Sequence, residues 1–339
     1  MQKFVGALCL LPFTLASLHT QPRPGITAAD RVAHAYDLIL DANFDALRNT
    51  LPATCPPAPM VACRGLEALS LWWQIQLDPD GRSLDAAFLT AANRAIAEAE
   101  EWTAAEPTRA EAWFYLGAAY GVRAQFRVYR VERIGAARDG KRIKESLEKA
   151  LALDPSMHDA EFGVGMYRYY AGVAPAIFRF LRLLLLLPGG DRAGGLEQLE
   201  RAGRLGLLVR GEAQFQIHVL YLWYEHKSKE ALALIRGLKG RYPHNPLFIQ
   251  LEAEILDKYF HDHEASLKAS EQLLALARSN AVSRADIAEV VARLNMAQQW
   301  IALKQPARAR AQIDAVIARN PIAPAGAITR ARELQRELK

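Results

Sequence analysis

Two stretches decide how this chain folds: Ala112 to Tyr120, AWFYLGAAY, and Lys144 to Pro155, KESLEKALALDP. In the first, Trp113, Leu116 and Tyr120 fall at helical spacing around the small residue Gly117. In the second, Leu147 and Ala150 share a helix face, and Asp154-Pro155 ends it, because the residue before a proline is pushed out of the α region. Gly117 and Ala150 let two antiparallel helices approach closely. Trp113, Leu116, Tyr120 and Leu147 then fill the space between them. The expectation is a helical hairpin closed by Pro155, with about 14 extra residues, Arg127 to Asp139, between its two helices.

Working outward, the same arrangement recurs. AEFGVGMYRYY (160–170) repeats the first helix with Gly165 at the close-contact position, and GGLEQLERAG supplies its partner. EAQFQIHVLYLWYE pairs with KEALALIRGLKGRYP, LFIQLEAEILDKY with EASLKASEQLLALA, and ADIAEVVARLNMAQQWIAL with ARARAQIDAVIARNP. Upstream, RVAHAYDLIL/FDALRNTL and GLEALSLWWQIQLDP/LDAAFLTAANRAIAEAEEW are degenerate pairs. Ala, Leu, Glu, Arg and Gln dominate these stretches, all good helix formers, and no period-2 strand stands out. Asp78-Pro79, Glu106-Pro107, Asp154-Pro155, Asn245-Pro246 and Asn320-Pro321 each read as a helix end. Seven helix pairs and a polar capping helix (323–338) are expected, with the clearest repeats over 108–260. In such an array each unit contacts mainly its neighbours, so residues 21–339 read as one elongated domain whose length measures repeat number.

Trp113, Leu116-Gly117 and Tyr120, followed by Leu147, Ala150 and Pro155, resemble the tetratricopeptide-repeat (TPR) superfamily. The block FYLGAAYG…LEKALALDPSMHDAEFGVGMYRYY…PGGDRAGGLEQLERA is similar to exported bacterial members of it. The resemblance implies an all-α fold, a right-handed superhelical α-solenoid. It also implies binding of peptides or protein partners in a concave groove, without catalysis.

The composition agrees with a folded, mixed-charge protein. Of 339 residues 51% are hydrophobic and 23% charged, which excludes a disordered chain and a disulfide-dense mini-scaffold. The net charge of +5 is a thin surplus without the concentrated basic patch of a dedicated nucleic-acid binder, so no nucleic-acid partner is expected. Lys3 followed by the apolar run FVGALCLLPFTL and then Ala16-Ser17 reads as a secretory signal peptide over 1–20, and hence an exported protein, periplasmic or at the cell envelope. If Cys9 leaves with the signal, Cys55 and Cys63 remain, an even pair that suits a disulfide in an oxidising compartment.

Candidate chemistry is sparse. Gly135 to Lys141 satisfies G-x-x-x-x-G-K, but Arg142 stands where a phosphate-binding loop needs Ser or Thr, and no strand precedes it. The stretch reads instead as a Gly-terminated loop. His261-Asp262-His263 is the densest metal-like cluster, yet H-x-H on a turn sends its rings to different faces. His218 reads as a packed core histidine. No G-x-S-x-G occurs, and no enzyme activity, cofactor or metal is expected. Residues 173–188, with LRLLLLLP at their end, are the most apolar stretch after the leader. They read as a buried helix, a docking helix for a membrane surface or partner, or an inserted hairpin. The docking option would make the protein an envelope- or membrane-associated assembly factor with peripheral membrane contact. Finally, if Gly165 and His218 are equivalent, Phe162, Tyr169, Tyr170, Phe215 and Trp223 point toward one surface, beside Arg123, Arg127 and Arg130. They either form a peptide groove, with the arginines pairing to carboxylates, or are ordinary core.

Overall fold

The computed structural model describes residues 25–173, 189–319 and 323–338. These fold into 15 helices, with no strand among the described residues. They are α1 (Ala29–Leu40), α2 (Phe44–Thr54), α3 (Met60–Leu77), α4 (Asp85–Ala105), α5 (Ala110–Tyr129), α6 (Arg133–Leu153), α7 (His158–Val173) and α8 (Arg192–Leu205). There follow α9 (Arg210–Trp223), α10 (Ser228–Arg241), α11 (Pro246–Phe260), α12 (His263–Arg278), α13 (Ala285–Ala302), α14 (Pro306–Ile317) and α15 (Ala325–Glu337). Each odd-numbered helix up to α13 pairs with the next as an antiparallel hairpin, the seven hairpins stack in chain order into an all-α solenoid, and α15 packs on α13 and α14.

The local signals are visible in the caps. Asp78, Glu106 and Asp154, each followed by proline, are the C-caps of α3, α4 and α6. Asn245-Pro246 does the opposite of what its pattern suggests. Asn245 is the N-cap of α11, its Oδ1 accepting from the Leu247 amide at 3.0 Å, and Pro246 takes the first helical position, where a missing N–H is tolerated. It opens a helix instead of ending one. Asn320-Pro321 lies outside the described residues.

The extra residues after Arg127 are not a loop. They lengthen both helices of the hairpin, so that α5 runs to Tyr129 and α6 begins at Arg133. Gly135 and Gly140 therefore sit within α6, which rules out the expected glycine-terminated loop. Close contact is as the small residues foretell. A Cβ on Gly117 would lie 2.4 Å from the Leu147 side chain, and one on Gly165 would lie 2.8 Å from the Gly195 carbonyl. Cys55 and Cys63 are joined by a disulfide that ties the end of α2 to the start of α3.

The solenoid does not stay open. α1 packs against α9, and Tyr242 donates its hydroxyl to Asp37 at 2.6 Å. Asn245 Nδ2 donates to the Leu40 carbonyl at 2.7 Å, and the His244 amide donates to Asp41 at 3.0 Å. Trp73 on α3 meets Phe215 on α9 and Phe248 on α11, with ring centroids 5.1 and 6.0 Å apart. Arg284, just before α13, pairs with Asp78 at the end of α3, 2.9 Å away. One hydrophobic core runs continuously from α1 to α11. The elongated array with neighbour contacts alone is thus corrected: the superhelix curls until its first units touch its fifth, sixth and seventh.

An apolar cavity enclosed by the first helices

Curling places the first helices of the pairs around a common interior. A cavity of about 1800 Å³ runs through it. Every first helix contributes to its wall: Tyr36 on α1, Leu69 and Trp72 on α3, Gln125 on α5, Met166 on α7, Val219 on α9, Leu251 on α11 and Val291 on α13. Among the second helices only α6 contributes, because its added N-terminal turns reach round the mouth. The wall is mostly aliphatic and aromatic. This is what a stack of amphipathic hairpins produces when one stripe of each first helix has no partner. Gly65 and Gly121 face the space directly, and a Cβ on either would meet nothing within 4 Å.

A short polar seam crosses the apolar wall. The Trp72 indole donates to Gln125 Oε1 at 3.2 Å, and Gln216 Nε2 donates to the same oxygen at 3.3 Å. Gln216 also donates to Glu212 at 3.2 Å, whose other oxygen accepts from the Trp73 indole at 3.2 Å. Burial pushes the Glu212 carboxyl up to about 7, against the opposing pull of the amides and the indole. His218 on the same helix is buried and hydrogen-bonds through Nδ1 to the Phe215 carbonyl. Its burial holds the imidazole down at about 4, so it is neutral at pH 7. That is the packed core histidine expected of the residue.

Buried carboxylates near the starts of other first helices hold the frame. Asp159 on α7 accepts from the amides of Leu207, Leu208 and Val209 at 2.7–3.0 Å, satisfying donors at the start of α9. Glu111 on α5 holds Thr27 through its amide at 2.7 Å and its hydroxyl at 2.9 Å.

Of the sequence-derived groove residues, Phe162, Tyr170, Phe215 and Trp223 border the cavity. Tyr169 does not. It is fully buried among α7, α8 and α9, and its hydroxyl donates to Glu225 at 2.5 Å. Arg123 and Arg127 are not available to a guest carboxylate either, because both are spent on the buried Asp139, each with a nitrogen 2.7 Å away. Arg130 is held by the Gly81 carbonyl and Asp85. Reasoning from sequence missed the α3 face altogether. Its signal was present: Leu66, Leu69, Trp72 and Gln76 repeat at helical spacing with Trp73 on the adjoining stripe, while Arg64, Glu67 and Gln74 share the remaining side, so α3 carries a broad apolar face.

The chemistry-bearing motifs resolve into structure. Gly135 to Lys141 lies on α6, with no loop to cradle a phosphate. His261 adopts the left-handed conformation that ends α11, whereas His263 turns to Asp257 and Gln299, 3.0 and 2.9 Å away. No group of three or more His, Cys, Asp or Glu side chains able to hold a metal occurs among the described residues. Likewise no helix among them is long and apolar enough to cross a membrane, and the apolar stretch 174–188 lies outside them.

No protein-family model matches the chain, and no curated protein does. Among solved structures it is similar to a monomeric mutant of IFIT1 with Gppp-AAAA, at 12% identity and a TM-score of 0.40. The match covers 86% of this chain and 64% of that one, so the chain spans under two thirds of its neighbour's length. At that level the likeness carries no functional weight.

Proposed function

We propose that the chain is an exported, non-catalytic TPR-like scaffold that receives an apolar segment of a partner protein or peptide inside its superhelix. One observation carries this reading: a continuous cavity of about 1800 Å³ to which every first helix, but only one second helix, contributes wall. A space of that size and apolarity suits an extended hydrophobic segment, whose side chains leave water while its backbone can reach the glutamine seam. The partner's class replaces the acidic peptide suggested by Arg123 and Arg127, since those cations are already paired. The Cys55–Cys63 bridge supports the export half of the proposal, because such bonds persist in oxidising compartments.

Binding of fluorescently labelled apolar peptides, followed by anisotropy, tests it. The expected result is saturable binding of an extended Leu/Phe-rich peptide and none of a Ser/Gly analogue. Gly65→Leu together with Gly121→Leu projects two side chains into the cavity, from α3 and α5, and is expected to weaken that binding while helicity stays intact. Equal binding by the double variant would overturn the reading.

A further inference from the structure

Because successive helices run antiparallel, the first helices all run the same way and their C-terminal ends lie on one edge of the stack. Ten large apolar residues are exposed among the described residues, and seven of them sit at this edge: Val128, Tyr129, Val131, Ile134, Tyr170, Trp223 and Tyr259. All seven border the cavity, whereas the other three, Met60, Leu205 and Leu207, do not. The lengthened α5–α6 hairpin forms the most prominent part, with Val128, Val131 and Ile134 exposed by 68%, 65% and 67%. Such exposure of aliphatic side chains at a hairpin tip marks a surface built to be covered.

The charge around the tip indicates by what. Arg133 and Arg138 are exposed and have no ion pair among the described residues, and Lys141 and Arg142 follow on α6. Between residues 127 and 145 seven basic side chains face three acidic ones, Glu132, Asp139 and Glu145. Asp139 is already neutralised by Arg123 and Arg127. Aliphatic side chains flanked by unpaired arginines, with Tyr and Trp along the same rim, match the chemistry of an anionic bilayer surface: acyl boundary, headgroup level and phosphate. A soluble partner with an acidic, apolar face would satisfy the charge and also accept aromatics. A bilayer boundary accounts in addition for their common level, since Tyr129, Tyr170, Trp223 and Tyr259 lie near the C-terminal ends of four successive first helices. The described chain leaves α7 at Val173 and resumes at Gly189 on this same edge, with Gly190 packed against the Gly172 backbone and the Asp191 amide donating to the Arg168 carbonyl at 3.0 Å.

We infer that the α5–α6 tip, through Val128, Val131, Ile134, Arg133 and Arg138, seats the cavity mouth on an anionic membrane surface. The interaction is peripheral and salt-sensitive. It goes beyond guest binding and stands whether or not the cavity holds a peptide. Seated in this way, the mouth offers an apolar segment a path from the bilayer boundary to the cavity wall that does not cross open water.

Vesicle flotation tests it, using the full chain in the form an expressing bacterium leaves it, without peptide. Wild-type protein is expected to float with phosphatidylcholine vesicles containing phosphatidylglycerol, to stay down with phosphatidylcholine alone, and to be released by high salt. Val128→Ser with Val131→Ser and Ile134→Ser, and separately Arg133→Glu with Arg138→Glu, are each expected to lower the floated fraction by about tenfold, because an interfacial arginine and buried apolar area both add to partitioning. These side chains are exposed, and unchanged circular dichroism confirms that the variants fold. Failure of wild-type protein to float, equal flotation on neutral vesicles, or flotation unchanged in both variants overturns the inference. The last outcome moves membrane contact to another segment. Loss of peptide binding in the tip variants with flotation unchanged also overturns it, and assigns the tip to the protein partner.

Discussion

Glu212 and His218 stand six residues apart on α9, and burial moves both in the direction of neutrality. Their effects on stability have opposite signs. The folded state keeps the Glu212 proton up to about 7, above the ordinary carboxylate range, so between about pH 4.5 and 7 only the unfolded chain ionises there. Stability falls as pH rises through that window. His218 refuses its proton down to about 4, so between about pH 6.5 and 4 only the unfolded chain gains it, and stability falls as pH drops. Each effect amounts to roughly 3 kcal/mol. Urea unfolding against pH is therefore expected to show a shallow net slope between pH 5 and 6.5 in the wild type. Glu212→Gln leaves the rising limb of His218, and His218→Asn leaves the falling limb of Glu212. A second contrast concerns two glycines one helical turn apart on α5. Gly117→Ala drives a methyl to 2.4 Å from Leu147 and is expected to cost about 1–3 kcal/mol. Gly121→Ala meets open cavity and is expected to stabilise by about 0.5–1 kcal/mol through helix propensity. Thermal melts of the two variants, shifted in opposite directions, check the assignment of the two faces of α5.

At the scale of elements the sequence was legible wherever side-chain spacing and local caps decide the outcome. Gly117 opposite Leu147, Gly165 opposite Gly195 and the three acid-proline stops all lie where helical periodicity puts them. Asn245-Pro246 was ambiguous because the same dipeptide suits a stop or a start. The choice was made from a distance: Asn245 is buried between its own helix and the Leu40 carbonyl 205 positions earlier. Its amide thus caps α11 and pins the end of α1 at once. Asn245→Ala is expected to cost about 2–3 kcal/mol, for the lost cap and an orphaned carbonyl. Limited proteolysis is expected to cut between α1 and α2 in that variant before cutting elsewhere. The lengthened α5–α6 hairpin was misplaced for a different reason. Arg127 to Asp139 contains a glycine and charges that suit a loop, but Asp139 buried against Arg123 and Arg127 makes continuous helix the better solution. That ion triad depends on which helix faces which, and composition does not report it.

The whole molecule was the least legible. Repeat spacing foretold a stack of hairpins, but its curvature comes from small offsets at each junction, and these add up only over the full chain. Closure, through Tyr242–Asp37, Trp73–Phe215 and Arg284–Asp78, converts an open groove into a walled cavity. It also decides the site. Four of the aromatic candidates reach the wall, whereas Tyr169 and the two arginines are absorbed into the frame. Closure further implies a compact particle, with a solution radius of gyration nearer the roughly 20 Å of a globular chain of this length than that of an extended rod. The central claim is that a partner's apolar segment lies inside this cavity. Photo-crosslinking in the expressing cell tests it most directly, with the reactive side chain placed at Val219 or Val291 on the wall, and at Lys268 or Glu271 on the outward-facing α12. The account predicts discrete protein adducts from the two wall positions that diminish when Gly65 and Gly121 are replaced by leucine, and none from α12. Adducts from α12 alone, or wall adducts undiminished in the double variant, would contradict it.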